Sequence, residues 1–131
     1  MPSRPDSVSR FDDRVEDYVR ARPGYPAAVV ALLEQQGLPL GAAVADIGSG
    51  TGRLSELLLA AGHAVIGVEP NDAMRAAAAA GLGGQPRFRQ LAGRAEATGL
   101  GRAAVDAVVA AQAFHWFDAA AARREFQRIL R

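Results

Sequence analysis

An α/β fold built on a parallel sheet is predicted by three features of the sequence. Short apolar runs of strand type alternate with segments of helical spacing along the chain. Those runs lack the polar alternation of a half-solvated strand, as expected of strands covered on both faces. A glycine-rich turn, Gly48-Ser49-Gly50-Thr51-Gly52, stands directly between one such run and the next helical segment.

Each element follows in order. Residues 1–9 are polar and carry Pro2 and Pro5, so a flexible N-terminus is expected, with one domain over residues 10–131. Phe11, Val15, Tyr18 and Val19 fall at helical spacing, with Ser9 as a candidate N-cap. Arg22-Pro23-Gly24-Tyr25-Pro26 interrupts that helix, because proline pushes the preceding residue out of the α region. Pro26 suits the first turn of a second helix reaching about Gln36, closed by Gly37. Residues 42–47 read as the first strand, and the helical spacing of Leu54, Leu57 and Leu58 follows the glycine turn as far as Gly62. Residues 64–68 read as the second strand, ending at Glu69-Pro70. Asn71 or Asp72 caps a helix through the alanine run to Ala80, with Gly81 as its stop. Residues 87–91 form a weaker third strand, residues 105–110 a fourth, and residues 118–130 a last helix. Helices on both faces of the sheet follow from the right-handed crossover rule.

Composition narrows the function. The chain has 131 residues, half of them apolar, enough for one domain with a real core. All 15 basic residues are arginine and the net charge is +1, so no broad basic field invites nucleic acid. With no cysteine there is no disulfide framework, thiolate metal site or cysteine nucleophile. His63 and His115 are far apart, which disfavours a zinc site built by the protein, and no metal is expected. His63 reads as an exposed residue of the turn before the second strand. No signal-peptide layout opens the chain and no apolar run approaches the roughly 20 residues of a membrane span, so a cytoplasmic location without membrane contact is the expectation.

The chemistry concentrates at the glycine turn. Gly48, Gly50 and Gly52 permit positive φ and remove the Cβ atoms that would hold a ligand off the backbone. The turn feeds a helix N-terminus, whose N–H groups favour anionic or polar ligand groups. The dinucleotide fingerprint G-x-G-x-x-G does not fit: from Gly48 it meets Arg53, and from Gly50 it meets Ser55. A plain βα loop is the bland alternative. Two acids weigh against it. Glu69 ends the second strand about 20 residues downstream, where an acid accepts ribose hydroxyls; otherwise it is a solvated acid at a helix start. Asp46, at the end of the first strand, can face a ligand ammonium directly or through water.

These residues resemble the class I S-adenosylmethionine (SAM)-dependent methyltransferases. The stretch from Val44 through Asp46, Gly48, Ser49, Gly50 and Gly52 is similar to their motif I. Val68-Glu69-Pro70-Asn71-Asp72-Ala73-Met74 resembles the second motif, in which the acid holds the ribose and Pro70 and Met74 pack near the adenosine. Gly93-Arg94-Ala95-Glu96 resembles the segment that lies against the adenine. The fourth strand, Gln112 and the string Phe114-His115-Trp116-Phe117 resemble the corresponding strand and loop. The Arg-Pro-Gly-Tyr-Pro turn and that string resemble the small-molecule branch that includes trans-aconitate methyltransferase-like proteins. There Tyr18, Arg22, Tyr25 and Trp116 would border the methyl donor or substrate as a lid.

The resemblance implies a Rossmann-like, doubly wound parallel sheet with N-terminal helices, a partial strand order 3-2-1-4, SAM as cofactor and a small-molecule acceptor. Relatives continue through three more strands, so the chain reads as a fragment or as a short protein completed by another chain. Val105, Val108 and Val109 would then sit on an exposed edge, inviting self-association or a partner chain. Methyl transfer needs alignment above all. His115 is the candidate base, or else a loop histidine packed on aromatics; a carboxylate acceptor needs no base and suits an arginine such as Arg22. Phe114, Trp116 and Phe117 line the site or cap the core. The loop after the fourth strand lacks the prolines and polar lead residue with which DNA-adenine methyltransferases grip a flipped base. Two alternatives remain: a non-catalytic module binding SAM or S-adenosylhomocysteine, and an NAD(P)-dependent oxidoreductase. The isolated chain failing to fold is a third.

Overall fold

The computed structural model describes residues 26–110 and 118–131. In chain order these form α1 (Pro26–Gln35), β1 (Ala43–Ile47), α2 (Arg53–Ala60), β2 (Ala64–Val68), α3 (Asp72–Leu82), β3 (Phe88–Leu91), β4 (Ala107–Val109) and α4 (Ala119–Ile129). The four strands make one parallel sheet in the order β3-β2-β1-β4. This is the predicted order, and its reversal beside β1 opens a crevice at the carboxyl ends of the strands.

Alternation along the strands splits the core into two layers. Val44, Val65 and Val109 pack with Val29, Val30 and Leu33 of α1 and Leu54 and Leu58 of α2. Ala45, Ile47, Ile66, Val68 and Val108 pack on the opposite face with Ala122, Phe126 and Ile129 of α4. Side chains such as Leu33, Leu58 and Ile129 are fully buried, each contributing about 1.5–3 kcal/mol. The sheet is therefore covered on both faces, which is why its strands carry no polar alternation.

Helix ends are set by local chemistry. Asn71 caps α3 by accepting the Met74 N–H at 2.9 Å, and Asp118 caps α4 by accepting the Ala121 N–H at 3.0 Å. α3 runs past the expected stop at Gly81 and ends at Leu82, with Gly83 as its C-cap. Glycine inside a helix costs only about 1 kcal/mol, and burying Leu82 offsets it.

β4 is an edge strand of the sheet, as expected, while the Val105, Val108 and Val109 side chains are buried in the two layers. Val105 makes a parallel bridge with Leu130: its N–H donates to the Ile129 carbonyl and its own carbonyl accepts the Arg131 N–H. Arg131 also pairs with Asp106 at 2.9 Å, and the other Asp106 oxygen accepts the Ala43 N–H at 2.8 Å. That backbone bond, ahead of Arg131, holds the Asp106 carboxyl below its ordinary range.

His63 is not an exposed loop residue. It is fully buried, with Nδ1 accepting the Ala42 N–H at 3.0 Å and Nε2 on Glu34 Oε2 at 3.0 Å. An acceptor Nδ1 assigns the hydrogen to Nε2, which donates to Glu34. The imidazole thus joins α1, the approach to β1 and the approach to β2.

Candidate functional site

β1 ends at Ile47, and the chain then turns through Gly48, Gly50 and Gly52 at φ +67°, +58° and +91°. Any other residue would meet a penalty of about 1–2 kcal/mol at each left-handed position. The turn is pinned to the neighbouring strand, because the Gly48 N–H donates to the Val68 carbonyl at 2.7 Å. It closes when the Gly52 N–H donates to the Ser49 carbonyl at 2.9 Å. Gly52 is the N-cap of α2 and brings no side-chain cap to it.

The glycines differ in purpose. An added Cβ at Gly52 would lie 2.7 Å from Leu82 Cδ1 and 3.4 Å from Ala78 Cβ, so Gly52 lets α2 begin against α3. At Gly50 the nearest atom to an added Cβ is Met74 Sδ, at 3.7 Å, an ordinary contact. Gly50 therefore serves the turn and keeps its outer side clear. On β2, a Cβ at Gly67 would come within 2.9 Å of Ser49 Oγ, so a glycine stands where the turn crosses the strand. Ser49 Oγ is buried without a hydrogen-bond partner. Such an orphan is unusual in a packed interior and marks a place for a ligand or water.

Glu69 follows β2 and reaches back to the turn. Its Oε1 accepts the Gly50 N–H at 2.9 Å and its Oε2 accepts the Asn71 N–H at 3.0 Å. Arg75, itself paired with Asp72, donates to the Glu69 carbonyl at 2.7 Å, and Gln90 Nε2 on β3 donates to the Arg75 carbonyl at 3.0 Å. The acid is thus held from both sides, with lone pairs left for ligand hydroxyls.

Asp46 sits beside it in a different setting. It is 2% exposed, and its Oδ2 accepts the Ser55 hydroxyl at 2.7 Å. Burial pushes its carboxyl up to about 7; the Ser55 hydroxyl opposes that rise and nearby Glu69 adds to it. Burial wins because the hydroxyl and backbone N–H of Ser55 do not replace the hydration of an anion.

The remaining expected positions divide. Asp46, Gly48, Ser49, Gly50, Gly52, Glu69 and Met74 come together around the turn, with Met74 half-exposed beside Gly50 and Pro70 exposed next to Glu69. Ala95 is buried in the α4-side layer. Glu96 is engaged elsewhere, its Oε2 accepting the Asp118 N–H at 2.9 Å at the start of α4. Both lie on a tight turn in which Arg94 and Ala97 exchange backbone hydrogen bonds. Thr98 then donates its N–H and hydroxyl to Glu125 Oε2 at 2.9 and 2.6 Å. The pairing of Glu125 with Arg128 holds that carboxyl down at about 2, with Thr98 assisting against burial. Tyr18, Arg22, Tyr25, Gln112, Phe114, His115, Trp116 and Phe117 lie outside the described residues.

Sequence reading missed Ser55, Gly67 and the Thr98–Glu125 clasp. Ser55 did leave a signal. It is a small polar residue between Leu54 and Leu58 on the buried side of α2, and a buried hydroxyl requires a partner. The clasp left none, since its members are 27 positions apart. Among the described residues no cluster of side chains could hold a metal ion, and no helix is long and apolar enough to cross a membrane.

Comparison with known proteins identifies the family. A family model described as a methyltransferase domain matches residues 45–131. An uncharacterized methyltransferase of Mycobacterium tuberculosis is 40% identical over 130 residues, covering 98% of this chain and 51% of that protein. This chain spans about half the length of the mycobacterial relatives it matches. A solved structure from Anabaena variabilis, named as a methyltransferase of an antibiotic biosynthesis pathway, is 34% identical with a TM-score of 0.69, covering 79% of this chain and 41% of that one. A SAM-dependent methyltransferase of Aquifex aeolicus shares the fold at 21% identity, with a TM-score of 0.71 over 96% of this chain and 68% of that one.

Proposed function

The chain belongs to the class I SAM-dependent methyltransferase family, and from that premise we propose that it forms the cofactor-binding part of an enzyme that methylates a small molecule. The observation that carries this reading is the Gly50–Glu69 bond. It locks the glycine turn of β1 to the acid of β2 in one rigid cradle at the switch point of the sheet.

The residues present fit the cofactor. The orphan Ser49 Oγ, the clear outer side of Gly50 and the spare lone pairs of Glu69 offer a donor, a close backbone approach and hydroxyl acceptors in one place. Glu69 would take the ribose hydroxyls, Gly48 to Gly52 the amino-acid part, and Asp46 its ammonium. Met74 and Pro70 would lie beside the adenosine, and Ala95 and Glu96 toward the adenine. When bound, SAM supplies an electrophilic methyl group on a sulfonium, for which alignment and exclusion of water provide most of the rate.

A small acceptor is favoured by the flat charge balance and by a relative named for an antibiotic pathway. A carboxylate or a hydroxyl acceptor fits equally. For a carboxylate, Arg22 would hold the substrate; for a hydroxyl, His115 would take the proton. Tyr18, Tyr25, Gln112 and Trp116 complete the proposed lining.

Calorimetric titration of the purified chain with SAM and with NADH tests this. Expected is binding of SAM alone, in the micromolar range, abolished by Glu69→Ala and Gly50→Val while both variants still melt cooperatively. NADH binding, or no SAM binding by a chain that melts cooperatively, would refute it. A methyl-transfer assay against small carboxylates and alcohols then separates an enzyme from a module that only binds.

A further inference from the structure

The two acids of the site end neighbouring strands, yet their surroundings are opposite in kind. Both oxygens of Glu69 receive backbone N–H groups, from Gly50 and Asn71. Asp46 is sealed from solvent, and its donors are the hydroxyl and backbone N–H of one fully buried residue, Ser55.

Every element packed against Asp46 contributes to this. β4 presents Val109 and β2 presents Gly67 as its register partners. The charged group that faces it from β2 is Glu69, a like charge. α2 presents Ser55, while its own charged residues Arg53 and Glu56 are exposed. Among the described residues no cation stands against Asp46. A buried acid in that position needs either a proton or a cationic ligand.

We propose that Asp46, oriented by Ser55, exchanges a proton for a cation, so that the site selects ligands that carry an ammonium group beside the adenosine. This rests on the cofactor site proposed above and adds its rule of selection. Below about pH 7 the carboxyl of the free protein carries a proton. When the ligand's α-ammonium arrives, the O–H bond of Asp46 breaks, the proton leaves to solvent, and a carboxylate–ammonium pair replaces it. One positive charge enters and one leaves, so the interior never holds an uncompensated anion. The ionisation near 7 is consistent with this. A ligand without the ammonium leaves Asp46 protonated and gains nothing from the exchange. Ser55 is a positioning residue: its hydroxyl fixes Asp46 through Oδ2.

Calorimetry of the full chain in two buffers of different ionisation enthalpy counts the protons. The ligands are S-adenosylhomocysteine, which has the ammonium but no sulfonium, and 5′-deoxy-5′-methylthioadenosine, which has neither. For S-adenosylhomocysteine we expect about one proton released at pH 6, falling to about one quarter at pH 7.5, with affinity rising about eightfold over that interval. The methylthio ligand releases none and binds alike at both pH values. Asp46→Asn abolishes the release and flattens the profile. Ser55→Ala moves the midpoint to higher pH by removing a donor to the carboxylate, and Ser55→Thr restores it. Binding of S-adenosylhomocysteine without proton release, or the same pH slope for both ligands, overturns the proposal and leaves the cofactor reading standing. Failure of both ligands to bind a chain that melts cooperatively overturns the cofactor reading, and this inference with it.

Discussion

Alanine placed at Gly50 and at Gly52 separates the two duties of the turn. Both positions are left-handed, so each substitution costs about 1–2 kcal/mol in backbone strain. At Gly50 the new methyl meets only Met74 Sδ at 3.7 Å, and the cost ends there. At Gly52 it arrives 2.7 Å from Leu82 Cδ1 and 3.4 Å from Ala78 Cβ, and both are buried, so overpacking adds about 1–3 kcal/mol. At about 4 °C per kcal/mol, Gly50→Ala should lower the melting temperature by about 4–8 °C and Gly52→Ala by about 8–20 °C. A double-mutant cycle with Leu82→Ala isolates the clash. Gly52→Ala and Leu82→Ala together should cost about 1–3 kcal/mol less than their sum, while Gly50→Ala and Leu82→Ala should add. Denaturant melts of the six proteins provide the numbers. Equal losses at the two glycines, or additivity in both cycles, would falsify the assignment of Gly52 to helix packing.

Three further outcomes follow from the same contacts. The Asp46 carboxyl is raised in the fold from 3.8 to about 7, so its contribution to stability is full below 3.8 and is lost as pH rises through 7. About 4 kcal/mol is at stake, and Asp46→Asn should gain stability on the wild type between about pH 4 and 7 in chemical melts; parallel profiles there would refute this. Glu125 is depressed from 4.5 to about 2, so its stabilisation is present above 4.5 and lost as pH falls toward 2. Glu125→Gln should therefore make acid unfolding less steep in that window, and an unchanged acid limb would count against the clasp. His63→Ala should cost about 2–4 kcal/mol by leaving the buried Ala42 N–H unpaired, whereas His63→Asn, which keeps an acceptor near Nδ1, should cost less. Equal losses in thermal melts would show that the Ala42 bond is immaterial.

What the sequence made legible was local. The second strand at residues 64–68 and the glycine turn with its positive φ angles are found where spacing and residue type put them. The order of the strands came from resemblance to a family, because no local pattern encodes which strand lies beside which. The errors all have a partner distant in sequence. His63 looked like a turn residue because Glu34 and Ala42, which bury it, lie 29 and 21 positions earlier. The fourth strand seemed longer because Val105 bridges Leu130 rather than continuing the ladder with β1. Gly81 seemed a helix stop because the burial of Leu82 one residue later is a tertiary fact.

The candidate site shows why the acids were readable and their states were not. Residue type and position marked Asp46 and Glu69, since carboxylates at the carboxyl ends of neighbouring parallel strands must face the switch point. What surrounds each of them depends on groups that come from elsewhere. Glu69 receives two backbone N–H groups because the glycine turn curls over β2 and because Asn71 begins a helix. Asp46 is buried beneath it, with donors from Ser55 of α2 alone. A single turn therefore gives Glu69 two backbone donors while burial raises the Asp46 carboxyl to about 7. That difference suits one acid to hydroxyls and the other to charge. Two exposed acids would both be anionic at neutral pH and would attract any cation. Two equally buried acids would share a proton and bind hydroxyls poorly. The asymmetry follows from the three positive-φ glycines, which let the five residues from Gly48 to Gly52 both start a helix and meet the acid of the next strand.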